Sequence, residues 1–126
     1  MIQTVKDSDT RPWFFLQTAH TTYGMRVMET GHLEHLYYGE RITVDSQDPS
    51  SCAPLVIQRA FTPGNTCTYD REHPQISMED ICLEVGTLGK GDIREPFLEV
   101  RFTDGSVTSD FTFDSYKVIT LKEREQ

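Results

Sequence analysis

A chain of 126 residues with 37% apolar and 10% aromatic residues fits one thin-cored domain and is too apolar for a disordered chain. Twenty acids against twelve bases give a formal charge of −8, and with no basic run to offset it, nucleic acid and anionic membrane are excluded as expected partners. The first residues lack the apolar core of a signal peptide and no apolar run approaches membrane-spanning length, so the expected setting is soluble and cytoplasmic.

In chain order, Pro12-Trp-Phe-Phe-Leu-Gln-Thr-Ala mixes aromatic and polar residues over a strand's length, with proline confined to its start. Tyr23, Met25 and Val27 then alternate with Gly24, Arg26 and Met28, which sends one face inward. Thr30-Gly31 reads as a hairpin turn into His32-Leu-Glu-His-Leu-Tyr-Tyr. Gly39 reads as a second turn, with a short strand from Arg41 to Val44.

The middle, residues 45–75, holds Pro49, Pro54, Pro63 and Pro74 among turn-forming residues and is the least regular part. Only residues 55–61 look like a strand there, and mobile loops are expected around Cys52 and over residues 62–73. Ser77-Met-Glu-Asp has the form of a capping box, but Gly86 lies too close for a long helix, so an extended or single-turn segment is expected. Gly86, Gly89 and Gly91 make a bent loop that presents Asp92 and Arg94 in a fixed relation. Residues 97–102 and 106–113 flank Asp104-Gly105, a strong hairpin signal, and residues 115–121 add a strand before a frayed end. The sum is an all-β chain, an antiparallel β-sandwich, forming a single domain over residues 1–126.

Spacing alone assembles no catalytic site. Cys52, Cys67 and Cys82 are an odd set without a Cys-x-x-Cys pair and, apart from His73 in a turn-like segment, lack close histidines, so free thiols are expected, with no metal or other cofactor. His32 and His35 flank apolar residues in a strand and read as structural. The pair Glu79-Asp80 suits glycoside hydrolysis by type, but neighbouring side chains on a strand point apart. Trp13, Tyr37 and Tyr38 fit either a sugar-stacking face or core filling, and core filling is preferred.

Three motifs carry a resemblance. His32-Leu-Glu-His-Leu-Tyr-Tyr-Gly-Glu-Arg-Ile and the upstream Phe15-Leu-Gln-Thr-Ala-His-Thr-Thr-Tyr resemble segments near the start of bacterial α-galactosidases of glycoside hydrolase family 36. Residues 76–96, with Gly89-Lys-Gly-Asp-Ile-Arg at their centre, look like a third. The resemblance implies an N-terminal β-supersandwich domain beside a catalytic (β/α)8 barrel that carries the nucleophile and the acid/base, so no residue here is expected to be catalytic. It also implies that this domain braces the barrel of its parent chain, joins homo-oligomer contacts and helps shape a sugar pocket. Asp80, Asp92 and Arg94 are the candidates for touching a galactoside there, with Arg94 equally able to brace an aspartate. Residues 82–85 depart from the family pattern, which bears on Asp80. A stand-alone carbohydrate-binding sandwich is the alternative.

Overall fold

The computed structural model describes residues 1–56, 69–77, 81–88, 91–92 and 96–121. Its centre is a four-stranded antiparallel meander of β1 (Ile2–Lys6), β2 (Pro12–Gln17), β3 (Thr21–Val27) and β4 (Leu33–Glu40), paired in chain order. All three turns between the strands are closed locally, the one between β2 and β3 by Thr18 N–H to Thr21 C=O. Asp7 accepts from the backbone of Asp9 and Arg11 between β1 and β2. At the β3–β4 turn Met28 N–H donates to His32 C=O, and Gly31 takes a φ of 88° that suits glycine.

The meander matches the alternation expected for residues 12–40 but adds β1, which was not anticipated. Residues 2–6 carry no large aromatic, and their place is set by pairing: Val5 lies opposite Trp13 and Ile2 opposite Leu16. Gly39 is not a turn. It lies within β4 opposite Thr22, and the Tyr37 ring folds over it so that an added Cβ would meet Tyr37 Oη at 2.8 Å. Residues 41–44 are not a strand either, since Ile42 instead donates to Thr22 Oγ1 and accepts from Gln17 Nε2.

The sheet is covered on both faces, which makes the all-β fold sandwich-like. On one face Val5, Trp13, Phe15, Val44 and Cys52 form the core, with Leu36, Ile42, Leu55 and Val56 packed against it. Cys52 reaches it from a 3-10 helix, Pro49–Leu55, capped by Asp48. This helix replaces the loop expected around Cys52 and occupies the start of the strand expected at residue 55, whose remainder lies outside the described residues. On the other face Phe14 packs edge-on against Tyr116 at 4.8 Å and tilted against Phe113.

The glycine loop contributes the short parallel pair β5 (Thr87–Leu88) and β6 (Gly91–Asp92). Beyond it the expected Asp104-Gly105 turn forms, with Phe102 N–H bonded to Ser106 C=O and Gly105 at φ 88°. Its flanks do not form the expected strands. Among the described residues, 97–121 hold only one isolated bridge, Leu98 to Thr87. Alternation favours an extended chain, but a ladder needs a neighbour, and the covering segment meets the sheet by its face rather than its edge.

Candidate functional site

Of the sugar-pocket candidates, Asp80 and Arg94 lie outside the described residues, and Asp92 is placed by its backbone in β6, opposite Leu88. The polar groups that the fold does bring together are two clusters around the histidines of β4 and its turn.

His32 is 2% exposed. Thr30 Oγ1 lies 2.7 Å from its Nδ1 and Asp110 Oδ1 lies 2.5 Å from its Nε2. Tyr69 stacks edge-on against the ring at 4.8 Å and donates its hydroxyl to the other Asp110 oxygen. That bond to Asp110, then burial, pushes the Tyr69 phenol up to about 12. Phe113 N–H donates to Gly31 C=O beside this cluster. The chemistry is that of an anchor: three chain segments share one carboxylate, and both imidazole nitrogens are used.

The second cluster depends on a β-bulge. Gly24 pairs with Tyr37 but Met25 pairs with His35, so Leu36 is the extra residue in β4. Leu36 packs on the core face, and the skipped step puts His35 on the same face as Tyr38, three residues on. Tyr23, opposite Tyr38, completes a group with ring centroids 5.0 Å from His35 and 5.8 Å from Tyr38.

Glu84 closes this group from the glycine-rich segment. Its backbone is held along the β4 edge by Glu84 N–H to Leu33 C=O and His35 N–H to Cys82 C=O. One carboxylate oxygen accepts the Tyr23 hydroxyl at 2.5 Å and the other lies 3.0 Å from His35 Nδ1. Burial, then the Glu84 carboxylate, pushes the Tyr23 phenol up to about 12. Tyr38 is 70% exposed beside them, whereas Trp13 is buried in the core and Tyr37 is half-buried, so the three rings that share one expectation have different fates. Periodicity missed this cluster because a strict period of two sets His35 and Tyr38 on opposite faces. Glu84 carried no signal of its own.

On the core side of β4, Glu34 is buried and accepts from Arg26 Nε at 2.7 Å, and the Arg26 guanidinium lies 5.4 Å from the Trp13 ring. That pair is internal to the packing. Cys52 is in the core, where burial raises its thiol pKa, and Cys82 is exposed. Cys67 lies outside the described residues. Among the described residues no group of three or more His, Cys, Asp or Glu side chains is placed to hold a metal ion, and no helix is long and apolar enough to cross a membrane.

The model of the glycosyl hydrolase family 36 N-terminal domain matches residues 31–126. The bifunctional α-galactosidase/sucrose kinase AgaSK of Mediterraneibacter gnavus is 37% identical over 90% of this chain and 11% of its own length. The α-galactosidase AgaA of Geobacillus stearothermophilus is 27% identical over 88% of the chain and 14% of its own length. Among solved structures, the α-galactosidase from Lactobacillus brevis superposes with a TM-score of 0.71 at 32% identity, over 90% of this chain and 14% of that one. The chain therefore spans a small part of the relatives it matches.

Proposed function

Because the chain belongs to the glycosyl hydrolase family 36 N-terminal domain family, we propose that it is a non-catalytic domain of an α-galactosidase, one that braces a catalytic barrel rather than performing hydrolysis itself. The observation that carries this reading is the apolar strip of residues 97–121. Phe97, Phe102, Phe111, Val118, Ile119 and Leu121 are all exposed there, and large apolar side chains gathered in one segment mark a surface that a partner covers. A partner with an apolar surface, such as the proposed barrel, would cover them. The charge of −8 disfavours a second copy of the same face as that partner. The same reading includes oligomer contacts and a cytoplasmic enzyme, with Asp80, Asp92 and Arg94 near a galactoside pocket.

The test uses the Lactobacillus brevis α-galactosidase made without the segment that this chain matches. Adding the 126-residue chain is expected to form a complex and raise hydrolysis of an aryl α-galactoside, while the chain alone gives none. Turnover by the purified chain alone would sink the non-catalytic reading, and failure to bind the shortened enzyme would sink the bracing role.

A further inference from the structure

We propose that Tyr38, Tyr23, His35 and Glu84 form a binding platform for a pyranoside on the outer end of β3 and β4. The choice of sugar class rests on the α-galactosidase reading above; the platform itself rests on geometry.

A pyranoside presents an apolar face of C–H groups and a rim of hydroxyls. Recognition therefore takes a flat exposed ring with fixed hydrogen-bonding groups at its side. Tyr38 is that ring. It is the most exposed tyrosine side chain among the large exposed side chains of the described residues, and its neighbour Tyr23 is held by the bond to Glu84. An exposed tyrosine alone would carry nothing. What distinguishes this one is the fixed polar group beside it, brought to the same face by the β4 bulge.

Glu84 is the positioning residue. With one oxygen on the Tyr23 hydroxyl and the other on His35 Nδ1, it selects the tautomer that carries its proton on Nδ1. In the neutral ring His35 Nε2 is then an acceptor; it has no partner among the described residues and belongs to a side chain that is 29% exposed. It accepts from a sugar hydroxyl while the Tyr38 ring stacks on the C–H face. The contrast with His32 is direct, since there both nitrogens are used within the protein and the ring is buried. One histidine anchors the fold and the other faces outward with a nitrogen to spare.

The test is a titration of the isotope-labelled 126-residue chain with methyl α-galactopyranoside, following backbone, tyrosine-ring and imidazole resonances. Saturable shifts centred on Tyr23, His35 and Tyr38 are expected in the millimolar range. Tyr38→Ala should weaken binding by about tenfold or more, as loss of an aromatic stacking contact does, while Tyr116→Ala should leave it unchanged. Glu84→Gln should change the His35 tautomer, read from its ring nitrogen shifts, and weaken binding without unfolding the sheet. A flat titration, shifts equal to those from glycerol, or a shift map centred on residues 111–118 would overturn the proposal. The bracing role is judged separately by complex formation, so a chain that docks but ignores the sugar refutes this platform alone.

Discussion

Residues 1–40 and residues 97–121 have much the same alternating composition and opposite outcomes. The first stretch closes into a meander with Phe15 fully buried, while the second forms no ladder and displays Phe97 at 77% exposure. The difference lies in what each has for a neighbour. Short turns at residues 7–11, 18–21 and 28–32 return each strand against the one before, so every ladder bond is local and cheap in loop entropy. The later stretch has one tight turn at Asp104-Gly105, and the segments around it meet the sheet by face, through Phe14, Phe113 and Tyr116. Alternation therefore specifies which side of a strand is apolar, and it leaves open whether a ladder partner exists.

The sharpest test of that contrast compares two phenylalanines. Phe15→Ala should cost about 3–5 kcal/mol in urea unfolding, because it empties the centre of a thin core, and Phe97→Ala should stay within about 0.5 kcal/mol. Equal costs would mean that the later stretch is packed as firmly as the first. Next in size is Asp110→Ala, which removes the carboxylate shared by His32 and Tyr69. It should cost about 2 kcal/mol and speed hydrogen exchange at the Phe113 amide, while amides of β2 and β3 hold their protection. If β2 opened equally, the anchor would belong to the global fold rather than to the later stretch.

Gly105→Ala probes the tight turn at a φ of 88° with open space around it, so the strain is purely of the backbone. About 1 kcal/mol is expected by thermal or urea melting. The smallest effect is on pH dependence. Tyr23 and Tyr69 are raised from an ordinary 10.0 to about 12, so the folded state favours their neutral forms. Their contribution is complete below pH 10, declines above it and is gone past about 12. Absorbance titration of the phenolates should show two late-titrating tyrosines, one of which moves earlier in Glu84→Gln.

The comparison also separates what could be read in residues from what could not. The strands at 12–17 and 21–27 and the start of the next at 33–38 were legible from aromatic content and length in the first, alternation in the second, and the turn that Thr30-Gly31 marks before the third. β1 was not, since residues 2–6 offer little apolar contrast until Trp13 and Leu16 face them. Gly39 misled, because glycine serves a close approach of the Tyr37 ring as well as it serves a turn. In the sequence Tyr38 is one of three rings for which core filling is preferred over stacking, and the fold leaves it 70% exposed. The bulge that sets His35 on the face of Tyr38 is not visible in a period of two.

The order of polar and apolar residues by itself determined an all-β chain and the turns at Thr30-Gly31 and Asp104-Gly105, because side-chain period and turn chemistry are local properties. The placement of β1, the burial of Glu34 and His32 and the meeting of Tyr23, His35 and Glu84 were decided only by tertiary structure. His32 meets Asp110 across 78 positions, and the meeting of Tyr23, His35 and Glu84 rests on a one-residue bulge at Leu36, which packs against the core. Local sequence cannot encode such a shift, because its energy resides in the neighbours that the folded sheet supplies.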